Sequence, residues 1–151
     1  MIKETMEKIK NFASKADIEM NNLEGNAFWL VNGSTIVDIY VEQLEKNVMV
    51  NFFSRVIFNP RVDEELMKKL LELNVNLNFG AFGLSNGVVV FKYSVLGGDN
   101  LDYDEFINAI TLVAIIADEY DDKIASTHGG MTGVAKLKEE QQKRQETGFS
   151  W

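Results

Sequence analysis

The stretch TIVDIYVEQLEKNVMVNFFSRVIF, residues 35–58, decides the fold, because apolar and polar residues alternate through both of its halves. Alternation with a period of two places one set of side chains on a single face of a β-strand. Residues 44–47, between the halves, have the composition of a turn. We therefore predict two antiparallel strands, residues 35–42 and 48–58, joined by a tight turn.

The segments on either side of this pair extend the sheet and supply helices. Asn32-Gly33, just before it, strongly favours a two-residue hairpin turn, and Asn59-Pro60, just after it, suits the entrance to a helix. The predicted elements are a helix over residues 2–16, strands over 26–31, 35–42 and 48–58, a helix from about 60 to 74, strands over 77–84 and 88–96, and a helix after Asp102. The second helix is expected to bury Leu66, Met67, Leu70, Leu71 and Leu73.

This order of elements, α-β-β-β-α-β-β-α, predicts an α+β fold with a five-stranded, mostly antiparallel sheet packed against helices on one side. Residues 1–125 are expected to form this single domain. Residues 126–151 are rich in charge and show no second apolar core, so we expect a charged C-terminal tail, either helical or flexible.

Composition argues against several classes of function. The 151 residues include no cysteine and carry a net charge of −8. A chain without cysteine has no disulfides, thiolate metal sites or cysteine nucleophiles, which fits a reducing cytoplasm. Its acidity disfavours nucleic-acid binding, and no apolar run approaches the ~20 residues of a membrane-spanning helix. We therefore expect a cytoplasmic protein that binds neither nucleic acid nor membranes.

The sequence contains no motif that indicates catalysis or metal binding. His128, the single histidine, follows the last predicted helix and is expected to lie exposed in a loop. A catalytic triad or a zinc site would need further ligands or nucleophiles around it. The run 99–105 departs from the EF-hand order, and its Asp102 and Glu105 fit a helix N-cap instead. We predict no enzymatic activity, no metal and no cofactor.

Four acids, Asp118, Glu119, Asp121 and Asp122, surround Tyr120 close to the predicted end of the last helix. Negative charge at a helix C-terminus costs about 0.3–1 kcal/mol per residue. Three interpretations remain open: a solvated helix end, a docking point for a basic partner or a cation, and an unfamiliar carboxylate active site. The last would need two acids placed across a pocket, which neighbouring acids on one helix end do not supply.

The sheet face that points away from the helices is predicted to be unusually apolar. If Val50 and Phe52 face the helices, their neighbours face outward, where an exposed sheet should be polar. Ile115 also lies off the main apolar stripe of the last helix. The candidate partner-binding residues are Trp29, Ile36, Tyr40, Met49, Phe53, Ile57 and Ile115. Large apolar patches usually mark a partner, and three occupants fit: a second copy of the chain, a client peptide, or the C-terminal tail.

The element order and several local segments resemble the type III secretion chaperone-like fold, in particular the YbjN and CesT-like peptide-binding chaperone families. The segments that carry the resemblance are Leu73-Asn74, Leu77–Phe82, Val88–Tyr93, Gly97-Gly98 and Leu112–Ile124. The resemblance covers about residues 1–125 and implies a homodimer that binds an extended segment of a client protein. The leading hypothesis is a chaperone or adaptor that uses the apolar sheet face. The alternative is a structural homo-oligomer subunit without a separate client.

Overall fold

Antiparallel strands and α-helices form an α+β fold in the computed structural model, which describes residues 1–146. The strands in this part of the chain are β1 (Asn21–Leu23), β2 (Ala27–Asn32), β3 (Thr35–Leu44), β4 (Asn47–Phe58), β5 (Ala81–Ser85), β6 (Val88–Leu96) and β7 (Met131–Thr132). The helices are α1 (Ile2–Lys15), α2 (Glu64–Asn76), α3 (Tyr103–His128) and α4 (Gly133–Glu146), and a short 3-10 helix spans Gly98–Asn100.

The strands form one sheet in the order β1-β2-β3-β4-β6-β5, and β7 pairs with the end of β4. The predicted fold class is confirmed, whereas the predicted count of five strands is too low, since residues 1–146 contain seven. The two missed strands, β1 and β7, have three and two residues. So few residues cannot show an alternating pattern, so strands this short cannot be recognised from the sequence. Their pairing depends on the neighbouring strands. β1 lies between the predicted helix over residues 2–16 and the predicted strand over residues 26–31.

The core lies between one face of the sheet and the helices α1, α2 and α3. Val50 and Phe52 of β4 are fully buried, as the alternation predicts. Phe52 packs at 5.9 Å between ring centroids against Phe106 of α3. The β2–β3 hairpin forms as predicted, but its two turn residues are Gly33, at φ 60°, and Ser34, one position later than predicted, because Asn32 still pairs with Thr35. The central strand and the longest helix therefore meet at the middle of the core.

Ile57 is fully buried, so its predicted outward position is wrong. A register shift between Arg55 and Ile57 interrupts the pairing of β4 with β6, and it brings Ile57 opposite the fully buried Val89. A β-bulge inserts one residue and thereby moves the following side chains to the other face. Gly130 closes over this position, since a Cβ there would lie 2.5 Å from the Ile57 side chain.

Helix α3 ends later than predicted, at His128, so the acids around Tyr120 do not lie at its C-terminus. The predicted boundary at residue 125 falls within this helix. At its other end the N-cap prediction is confirmed, because the Asp102 side chain accepts a hydrogen bond from Glu105 N at 2.8 Å. No helix within residues 1–146 has the length and apolar character needed to span a bilayer.

The C-terminal segment forms α4 over Gly133–Glu146, while residues 147–151 of the predicted tail lie outside the described part of the chain. Helix α4 packs on β3, β4 and β7. A Cβ on Gly133 would lie 3.5 Å from Ile36 Cγ1, and Val134 N donates to Ser34 O at 3.0 Å. Because Ile36 alternates with the buried Val37, α4 begins on the outer face of the sheet, and the helices do not all lie on one side.

Candidate functional site

The outer sheet face presents its predicted partner-binding residues only in part. Five of them are half-buried: Trp29, Ile36, Tyr40, Met49 and Phe53. The sixth, Ile57, is inaccessible to a partner because it is fully buried. The start of α4 contributes to this burial at Ile36.

Charged and polar groups share the outer face with these apolar side chains. The Arg55 guanidinium lies 5.5 Å from the Phe53 ring centroid and forms an ion pair with Asp38 at 2.7 Å. Lys92 Nζ lies 5.8 Å from the Tyr40 ring centroid. Burial raises the pKa of Asp38, and the nearby Arg55 opposes that effect. The outer face is therefore a mixed surface, and its role in partner binding stays a prediction.

Ile115, the seventh predicted residue, is 56% exposed on α3 and lines a groove between this helix and β2. We call it the edge groove, with a volume of about 500 Å³ and apolar walls. Its apolar lining includes Ile18, Leu30, Val31, Ile110, Ala114 and Ile115. Ile115, which lies off the main apolar stripe of α3, thus borders a groove rather than another element of the fold.

The edge groove lies beside an open strand edge. β1 pairs only with Ala27–Trp29 of β2, so the second half of β2 extends beyond it. Backbone groups of a strand alternate in direction: Asn26 O accepts from Val41 N of β3, whereas Trp29 O accepts from the Asn21 side chain of β1. Val31 shares the direction of Trp29. Its N–H and C=O therefore point away from β3, and nothing within residues 1–146 bonds to them.

A second groove, the Phe79 groove, lies on the other side of α3. Its lining includes Phe79, Tyr93, Leu112 and Ile115, and its volume is about 620 Å³. The Phe79 and Tyr93 rings contact each other edge to face at 5.6 Å. Since Thr111 and Ile115 line both grooves, the two adjoin across the exposed side of α3.

A third apolar surface, the α2–β5 face, was missed by the sequence analysis. Of the predicted buried stripe of α2, Leu66 and Leu70 are buried, but Met67 and Leu71 are exposed, with Leu71 at 68%. The α2–β5 face consists of Met67, Leu71 and Val75 of α2 and Leu84 of β5, beside an apolar groove of about 220 Å³. The apolar stripe predicted for α2 is wider than a helix needs to cover one face of the core. This excess width is the feature of the sequence that could have indicated an exposed apolar surface.

The acids near Tyr120 are partly used within the fold. Asp121 is fully buried, and its carboxyl group makes a close hydrogen bond with Ser34 Oγ in the β2–β3 turn. Asp118 Oδ1 accepts from Ser34 N at 3.2 Å and contacts Ser34 Oγ at 3.0 Å. One hydroxyl carries one proton and cannot donate to both carboxylates. The Asp121 and Asp118 carboxylates therefore compete for the Ser34 proton, and burial raises the pKa of Asp121.

Replacing Asp121 tests this arrangement. We expect Asp121→Asn to be at least as stable as wild type near neutral pH, since an amide donates to Ser34 without a buried charge. Asp121→Ala should cost about 1–3 kcal/mol, because it leaves buried polar groups unpaired. A raised folded pKa means that wild-type stability falls as pH rises above the ordinary value of 3.8, and Asp121→Asn should lose that component. Urea unfolding over a pH series measures both effects. Equal destabilisation by Asn and Ala would contradict this account.

His128 is buried and ends α3, which corrects the prediction of an exposed loop residue. Its Nδ1 lies 2.7 Å from Thr127 Oγ1, and its Nε2 lies 3.1 Å from Asp63 Oδ1. Asp63 is the N-cap of α2 and accepts from Leu66 N, which holds the pKa of this carboxyl below its usual value. The histidine therefore ties the end of α3 to the start of α2. Among residues 1–146 no group of three or more His, Cys, Asp or Glu side chains is placed to hold a metal ion.

A protein-family model matches most of the chain, and solved structures share its fold. A family model described as T3SS (YopN, CesT) and YbjN peptide-binding chaperone 1 matches residues 7–136. The crystal structure of the ExsC–ExsE complex is similar with a TM-score of 0.65 at 14% identity, covering 82% of this chain and 96% of that chain. YbjN from E. coli is similar with a TM-score of 0.55 at 11% identity, covering 78% and 92%. No curated protein sequence matches the chain.

Proposed function

The chain belongs to the family of type III secretion and YbjN peptide-binding chaperones, and we propose that it is a non-catalytic homodimer that binds an extended segment of a client polypeptide at the edge groove. The observation that carries this proposal is the open edge of β2 at Val31, which lines the same groove as the exposed Ile115. An added client strand would pair with Val31 N–H and C=O. Its alternate side chains would enter the edge groove, so that main-chain bonds supply affinity and the groove supplies selectivity.

Variants at the strand edge and in the groove test the client site. Peptides selected on the wild type from a random-sequence library serve as probes, with affinity measured by fluorescence anisotropy. Ile115→Asp should weaken binding about tenfold or more, because it puts a charge among apolar contacts. Val31→Pro should weaken it about tenfold, since proline removes the outward N–H without removing a bond to β3.

Val31→Ala is the matched control for the proline variant, because it shortens the side chain and keeps the N–H. It should bind more tightly than Val31→Pro. Circular dichroism establishes that each variant is folded before binding is compared. Unchanged affinity in both Ile115→Asp and Val31→Pro would remove the edge groove as the client site.

The α2–β5 face supports the homodimer in this proposal. β5 is an end strand of the sheet, and the exposed apolar side chains of α2 continue its surface. A two-fold dimer places the same patch on both partners, so the patch must be self-complementary. Charge on α2 is mixed, with Lys68 and Glu72 on either side of Leu71 along the sequence. An antiparallel second copy can therefore bring opposite charges together around the apolar stripe.

A further inference from the structure

The rims of the two grooves beside α3 carry charge of one sign. Asp17 and Glu19 line the edge groove. The Phe79 groove is lined by Asp102, Asp104 and Glu105. No lysine, arginine or histidine of the described chain is among the lining residues of either groove. The exposed apolar side of α3 is therefore flanked by acids along both of its borders.

No lysine of the neighbouring helix α1 forms an ion pair with an acid of these rims. Lys8 donates to Gly98 O at 2.8 Å and to Leu101 O at 3.0 Å. Lys15 lies over the Tyr103 ring, 4.2 Å from its centroid. Lys10 pairs with Glu7 at 3.3 Å. Within residues 1–146 no lysine or arginine forms an ion pair with any acid that lines the two grooves, so these carboxylates are left for a partner.

We infer that the client segment is basic as well as apolar, with Lys or Arg residues between the apolar side chains that enter the two grooves. This inference rests on the proposed client site and names the chemistry that the site selects. A second copy of this chain would bring acids against acids at Ile115, where like charges oppose association. A segment that supplies apolar anchors together with cations satisfies both the floor and the rims of the grooves.

The length of basic side chains suits this geometry. Lysine and arginine lay their methylene stems along apolar surface and keep the charged head in water. A lysine or arginine of the client can therefore lay its stem along the apolar lining of the edge groove and bring its charged head to Asp17 or Glu19 at the rim. Exposed pairs of this kind contribute little each, are screened by salt, and act mainly on selectivity and association rate.

Three synthetic peptides of equal length test the inference. All carry leucine at alternate positions, and the positions between are Lys in the first, Ser in the second and Glu in the third. Isothermal titration with the full chain should rank the affinities Lys, then Ser, then Glu. The advantage of the Lys peptide over the Ser peptide should be about threefold or more at low salt and should shrink as salt is added.

A neutralised rim tests where the selectivity arises. The double variant Asp17→Asn with Glu19→Gln should reduce the Lys preference, and Asn tolerates the positive φ of 55° at residue 17. The control Glu24→Gln with Glu140→Gln removes the same net charge from exposed positions that line neither groove and lie outside the α2–β5 face. An equal loss of preference in the control would assign the effect to the overall charge of the protein and overturn the inference.

The outcomes separate this inference from the proposed function. If all three peptides bind equally well and Ile115→Asp weakens each of them, the client site stands and the basic client is wrong. If Ile115→Asp leaves the affinity of the Lys peptide unchanged, the proposed client site is wrong, and the inference fails with it.

Discussion

Leu71→Asp is expected to convert the protein from a dimer to a monomer while leaving the fold intact. The Leu71 side chain lies at the middle of the apolar stripe of α2 and is 68% exposed in the single chain, so its replacement removes little from the core. Across a two-fold interface the change would bury two carboxylates where two leucines had been. Central interface residues of this kind cost about 2 kcal/mol or more when removed, which raises the dissociation constant by at least about 30-fold.

Leu44→Asp is the matched control for the dimer prediction. Leu44 is 54% exposed at the end of β3 and is not part of the α2–β5 face. Sedimentation equilibrium over a range of concentrations should give a dimer for wild type and Leu44→Asp and a monomer for Leu71→Asp. A wild type that remains monomeric at high concentration, or a Leu71→Asp variant that stays dimeric, would exclude the α2–β5 face as the dimer interface.

The strands with strong alternation could be predicted from sequence because their pattern reflects a buried face. β3 and β4 show this most clearly, and their paired register keeps Val37, Ile39, Val50 and Phe52 on the core side. The bulge near Ile57 could not be predicted, since it depends on how β4 meets β6 and on Gly130 closing over the site. The alternation of side chains describes a single strand, whereas a register shift is a property of two paired strands.

The functional surfaces were only partly visible in the sequence for a related reason. The pattern identifies Ile115 as apolar and off the main stripe, but it does not show that the edge of β2 is open beside it. On α2 the pattern joined Leu70 and Leu71 in one stripe, although only Leu70 is buried. Apolar periodicity predicts which residues avoid water. It does not distinguish burial within the chain from burial against a partner.

The adjacent residues Phe52 and Phe53 are expected to respond very differently to the same substitution. Phe52 is fully buried against Phe106, whereas Phe53 is half-buried on the outer face beneath Arg55. Phe52→Ala should reduce the free energy of unfolding by about 3–5 kcal/mol, because it leaves a cavity at the centre of the core. Phe53→Ala should cost about 1 kcal/mol, mainly through lost partial burial and the lost contact with Arg55.

Urea unfolding of the two variants measures this difference, and the pair is its own control because residue type and strand are the same. Similar losses would mean that the register of β4 is wrong, since a slip by one residue exchanges the two faces. Phe53→Ala stays folded under this prediction and so also tests the outer face as a partner surface. Peptides selected on the wild type should bind it with nearly unchanged affinity if clients use the edge groove. A large loss of affinity would instead indicate that clients bind at the outer face of the sheet.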